Sequence, residues 1–175
     1  MAGELKLPSL FWWVSLPIWT VICSGAVYWA YFTTGVVPKK YLAETGPALG
    51  IQWSLLAAFI GFAQVMSVVI YRTIASRPDP LKSAGDRFMV VANKALNNWV
   101  QQTLHFVLNL IAYACHAPAE RVVLFAVTYT ASRFLYWVGY TQEAYTGTPG
   151  RFPVIYGLLL SLMMSVENAM WILGQ

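Results

Sequence analysis

The chain has 175 residues, 58% of them hydrophobic and only 10% charged, with a mean hydropathy of +0.56. A soluble domain carries about 25% charged residues, so the composition excludes a water-soluble globule and describes an integral membrane protein. The formal net charge of +4 is small and scattered, which gives no basis for nucleic-acid binding.

A transmembrane helix needs about 20 consecutive apolar residues, and five segments qualify: Phe11–Val37, Ala48–Tyr71, Ala95–Cys115, Val122–Tyr140 and Phe152–Leu173. The first segment has 27 residues. It outruns the h-region of a signal peptide, about 7–15 residues, and continues through Val27-Tyr28-Trp29-Ala30-Tyr31-Phe32 past the small residues at Ser24-Gly25-Ala26. It therefore reads as a retained transmembrane helix. Pro17 near its start is tolerable because neighbouring helices can satisfy the freed carbonyl.

Breakers punctuate the connectors: Pro38-Lys39-Lys40 and Gly46-Pro47, then Pro78-Asp79-Pro80, His116-Ala117-Pro118 and Gly147-Thr148-Pro149-Gly150. No internal repeat is evident, and the lengths suit a helical bundle with short loops. Orientation follows from basic residues, which favour the cytoplasmic side. Lys6, Arg72, Arg77, Lys82, Arg87, Lys94 and Arg151 fall on one side, against Lys39, Lys40 and Arg121 on the other. The amino terminus is therefore expected in the cytoplasm and the carboxyl terminus on the opposite side. The basic connector from Arg72 to Lys94 would then lie where anionic lipid headgroups can meet it.

The third segment carries polar side chains that lipid does not tolerate. On a helix, Lys94, Asn97, Asn98, Gln101, Gln102, His105 and Asn109 fall within an arc of roughly 140°, while Trp99, Phe106, Leu110 and Ile111 point elsewhere. Polar groups in a membrane helix face a partner or a wet cavity. Two readings follow: a ligand cleft, or a packed seam in which Asn and Gln hold helices together.

The fourth segment has its own stripe. Tyr129, Arg133, Tyr136 and Tyr140, spaced four, three and four apart, share one face within about 60°. A guanidinium inside a span needs an anion or several acceptors; structural acceptors such as Gln101 or a backbone carbonyl are the alternative to a ligand. Arg151 opens the fifth segment at the same level, as a site residue or an ordinary charge at the membrane surface. The two stripes suit a small, anionic, flexible ligand. Arg133, Arg151 and Lys94 would hold carboxylates, and Asn98, Gln101 and the tyrosines would orient amides. An arginine beside a bound thiol favours its thiolate, the nucleophilic form.

Other polar residues read as structural. His105 is expected to be a buried hydrogen-bonding side chain, and Glu167 and His116 belong to the opposite face. Cys23 and Cys115 lack metal-type spacing and read as free thiols in apolar surroundings. No metal site is expected.

The pattern Lys94-x-x-x-Asn98-x-x-Gln101, then Arg133-x-x-Tyr136-x-x-Gly139-Tyr140, then Tyr145-Thr146-Gly147-Thr148-Pro149-Gly150-Arg151 resembles the MAPEG family, the membrane-associated proteins in eicosanoid and glutathione metabolism. The resemblance covers roughly Ala48 to Leu173, so the chain divides into an extra amino-terminal helix and loop (1–47) and a MAPEG-like domain (48–175). It implies an all-α membrane bundle of four helices, with the additional helix suggesting an outlying, mattrin-like branch. It also implies a homotrimer, with glutathione held in a polar cleft between subunits near the cytoplasmic side. Lys94 stands where the family usually has arginine, and Gln101 where it has glutamate. Asn98, Arg133, Tyr136 and Tyr140 match family glutathione contacts, and Arg151 matches the arginine that stabilises the thiolate. The implied activity is glutathione transfer to, or reduction of, a lipophilic electrophile entering from the bilayer. The alternative is a non-catalytic scaffold that keeps the fold and binds other membrane proteins.

Overall fold

The computed structural model describes Val37, Leu42 and residues 44–74, 87–146 and 153–174. These form four helices: α1 (Pro47–Ile74), α2 (Arg87–Tyr113), α3 (Ala119–Thr146) and α4 (Val154–Ile172). The expected amino-terminal helix, apart from Val37, lies outside the described residues, as do Cys23 and Arg151.

Three of the helices, α1, α3 and α4, are long and apolar enough to cross a membrane. α2 has a comparable length, 27 residues, and its Asn, Gln and His residues keep it below that apolarity. α2 also starts at Arg87, eight residues before the apolar segment expected from Ala95, so Arg87 and Lys94 are helical and not part of the connector. The reason is local. Arg87-Phe88-Met89-Val90-Val91 keeps a helical apolar face that packs Met89 and Val91 inward, although its charged face has no need of lipid.

The entry to α1 is set by Gly46, whose φ of 60° lies in the left-handed region that favours glycine. Its carbonyl accepts hydrogen bonds from the amides of Leu49 and Gly50, and Pro47 occupies the first helical position, where a missing N–H costs nothing. Between α2 and α3, the carbonyl of Pro118 accepts the amides of Arg121 and Val122 and starts α3.

Pairings give the helix directions. Gly50 approaches Ile111 and Gly61 meets Trp99, so α1 and α2 are antiparallel. Thr103 meets Tyr129, and Asn98 meets Arg133, so α2 and α3 are antiparallel too. Asn109 of α2 and His116 just beyond its end both reach Asn168 of α4, and His105 of α2 meets Ser165, so α2 and α4 run the same way. α1 and α4 each pack on both α2 and α3.

The core is aromatic and apolar. Phe106 stacks on Tyr129 with ring centroids 3.6 Å apart, and Tyr113 stacks on Phe125 at 5.4 Å. Leu49, Ala57, Leu110, Val122, Ala126 and Met164 fill the space around them, and Val37 packs onto the same cluster. Outward-facing positions are apolar as well: Leu55, Phe59 and Phe62 on α1, and Leu158, Leu162 and Val166 on α4, are exposed. A surface of this kind has lipid as its solvent. Small residues then let helices approach closely, since lipid removes any hydrophobic drive between them; Gly50 and Gly61 serve α1 in this way.

Candidate functional site

Arg133 is the organising side chain. It lies midway along α3 and is 1% exposed, the largest fully buried side chain among the described residues. One terminal nitrogen donates to Oδ1 of Asn98 on α2 at 3.3 Å, and the other donates to the Val154 carbonyl in the first turn of α4 at 3.2 Å. The rings of Tyr129 and Tyr136 flank the guanidinium, their centroids 5.0 and 5.7 Å from its central carbon. These cation–π contacts stabilise a charge that is otherwise costly to desolvate. The spacing of Tyr129, Arg133 and Tyr136 produces the arrangement directly, because residues three and four apart are neighbours on a helix.

Gly157 of α4 closes the remaining side. A Cβ there would overlap the guanidinium, so only glycine leaves the room. Arg133 has no carboxylate partner among the described residues, and its Nε is buried without one. The Tyr156 hydroxyl and Gln102 Oε1 are likewise buried and unpartnered. Tyr140 lies farther along α3, its ring 5.6 Å from that of Tyr136.

Of the residues expected at the site, the fold brings together Asn98, Arg133 and Tyr136, with Tyr140 next to them. Asn98 and Tyr140 are half-buried, and Tyr136 is buried. Lys94 and Gln101 are on α2 close to Asn98 but exposed on the outer surface of the protomer, with Asn97 and His105 in the same row. Of the two acceptors weighed for Arg133 as a structural residue, the backbone carbonyl is realised and Gln101 is not. Arg151, three residues before the start of α4, lies outside the described residues.

Sequence reasoning missed Gly157 and could not say which backbone carbonyl would serve Arg133, since shape and backbone leave no side-chain signal. It also missed the Thr103–Tyr129 hydrogen bond at 2.9 Å, which joins α2 to α3 one turn from Arg133.

The far half of the α2 stripe behaves differently. Asn109 donates to the His105 ring nitrogen and to the His105 carbonyl, Ser165 donates to Asn109 Oδ1, and Asn168 donates to both oxygens of Asn109. His116 donates to Asn168 at 2.8 Å and stacks on Trp171. Glu167 accepts from the Tyr113 hydroxyl at 2.9 Å, with Arg121 at 3.9 Å. This half is a packed polar seam. His105 is hydrogen-bonded as expected but exposed rather than buried, because α2 turns it outward beside Ser165. Cys115 is a free thiol as expected, although exposed beyond the end of α2 rather than packed among apolar side chains. Among the described residues no group of His, Cys, Asp and Glu has the geometry of a metal site.

The model of the MAPEG family matches residues 9–170. The chain belongs to the MAPEG family. The match takes in α1, α2, α3 and α4 as far as Met170, and also the Phe11–Val37 segment ahead of them. No curated protein and no solved structure matches the chain. Membership makes it an integral membrane protein of the class that works in glutathione and eicosanoid metabolism.

Proposed function

We propose that this MAPEG protein binds glutathione in a polar cleft around Asn98 and uses it on a lipophilic electrophile that arrives from the bilayer. One observation carries the reading: a buried guanidinium, free of any carboxylate partner among the described residues, is coupled to a half-buried amide where the family motifs converge. The donor set fits the ligand. Glutathione carries two carboxylates and two amides, and Lys94, Asn98, Tyr136, Tyr140 and Tyr156 supply donors and positive charge around Arg133 without an acid among them. Gln101 would hydrogen-bond a peptide amide, where a glutamate would have paired with the amine.

In this reading Arg151 stabilises the thiolate. The thiol proton leaves to solvent, and the sulfur lone pair forms the new bond to the electrophile as its leaving group departs with the bonding electrons. The exposed apolar faces of α1 and α4 give such a substrate a route from lipid. The exposed row of Lys94, Asn97, Gln101 and His105 would meet a neighbouring copy in a homotrimer, which completes the cleft. The amino terminus would face the cytoplasm.

Calorimetric titration of the detergent-purified full chain with glutathione tests the binding. Wild-type protein should bind, and Arg133→Ala should lose binding. A thiolate absorbance in the ultraviolet that appears with glutathione and vanishes in Arg151→Ala would support catalysis. The second reading, a non-catalytic membrane scaffold, draws on the outward position of Lys94 and Gln101, away from Arg133. It expects glutathione binding, if any, without an ionised thiol.

A further inference from the structure

We propose that Arg133 is a positioning residue, which locks Asn98 as a hydrogen-bond donor so that this point of the cleft reads an acceptor oxygen on its ligand. The identity of the ligand rests on the glutathione reading; the lock rests on geometry alone. An arginine side chain offers five donors and no acceptor. The atom of Asn98 that faces it at 3.3 Å is therefore the oxygen, and rotating the amide would set N–H against N–H. The end of the amide turned away from Arg133 is then the NH2 group, which only donates. Because Asn98 is half-buried, that group can reach the cleft.

Arg133 itself is enclosed. Its second terminal nitrogen is occupied by the Val154 carbonyl, two tyrosine rings lie along it, and Gly157 abuts it. A guanidinium fixed on three helices and 1% exposed does not turn toward a ligand that approaches from the Asn98 side. The charge acts by aiming the amide. The matching ligand group is a carboxylate or peptide carbonyl oxygen, and a ligand N–H set against the NH2 end is disfavoured because donor meets donor.

The lock has a stability signature and a binding signature. In Asn98→Asp the carboxylate keeps the partner of Arg133, now as a charge-assisted pair, while the donors are gone. Its melting temperature should equal or exceed that of the wild type, and that gain should disappear in an Arg133→Gln background. Glutathione affinity of Asn98→Asp should fall about tenfold or more, as for Asn98→Ala, the loss expected of one hydrogen bond. Arg133→Gln should weaken binding by a similar factor, and Asn98→Ala/Arg133→Gln should bind no worse than the weaker single variant. Losses that multiply, to about a hundredfold, would show that Arg133 touches the ligand itself and would overturn the proposal. Should Arg133→Gln fail to fold, Gly157→Ala displaces the guanidinium with both partners retained. A folded Gly157→Ala protein with wild-type affinity would also overturn it. If wild-type protein bound no glutathione while the stability coupling held, the ligand reading alone would fall.

Discussion

At the residue scale, the cost of polar atoms inside a membrane bundle explains most of what surrounds Arg133. Thr103 and Tyr129 satisfy each other in a buried hydrogen bond. Thr103→Val should therefore cost about 1–3 kcal/mol by stranding the phenol, whereas Thr103→Val with Tyr129→Phe should cost less than the two single changes summed; denaturation of the purified variants measures both. Gln64 presents the opposite case. It is 2% exposed and both polar atoms of its amide lack a partner among the described residues. Replacing an unsatisfied buried amide by an apolar group of similar size removes a desolvation penalty. Gln64→Leu should thus raise the melting temperature, and a fall would show that the amide has a partner in the membrane, such as an ordered water. Arg133, Asn98 and Tyr136 were legible in the sequence because their spacing and charge are anomalous in lipid. Gly157 was not, since its role is to leave space, and nothing in the chain before folding says that α4 will bring it against a guanidinium.

At the scale of the helix, close approach and polar seams fix the pairings. A Cβ at Gly50 would stand 2.8 Å from the Ile111 Cα, and backbone cannot swing aside as a side chain can. Gly50→Ala should therefore push α1 from α2 and cost about 1–3 kcal/mol, the range for overpacking, read as a lower melting temperature. Between α2 and α4, Asn168 is buried and joins Asn109 to His116. Asn168→Leu should destabilise by about 1–2 kcal/mol, the larger values found for interhelical hydrogen bonds in membranes. Since this seam is separate from the Asn98–Arg133 pair, glutathione affinity should change little, which calorimetry on the same variant would check. The sequence periodicity placed all seven polar residues of α2 on one arc, and the helix confirms their common side. It could not divide them. Asn109 pairs because α4 runs parallel to α2 and presents Ser165 and Asn168, whereas Lys94 and Gln101 find no such neighbour among the described residues.

At the scale of the whole molecule, the apolar exterior and the exposed polar row on α2 make opposite demands. Leu55, Phe59 and Leu162 can face lipid, but exposed Lys94, Asn97 and Gln101 need a polar partner. The homotrimer proposed above supplies one. Gln101→Trp should then shift the detergent-solubilised protein toward monomer, measured by light scattering with the detergent mass subtracted, whereas Leu162→Trp on the lipid-facing side should leave the mass unchanged.

The sequence by itself determined the membrane character, the positions of the four described helices and the membership that Arg133-x-x-Tyr136-x-x-Gly139-Tyr140 announces, because hydropathy, helical period and motif spacing are properties of a linear chain. Its estimate of α2 began eight residues late, since a helix that leaves the apolar layer stops advertising itself by hydropathy. Only the tertiary structure decided which polar groups are shared between helices and which remain exposed. That depends on how α2, α3 and α4 are registered against one another. The register is set by packing around Phe106, Tyr129 and Gly157, residues whose partners lie far away in the chain.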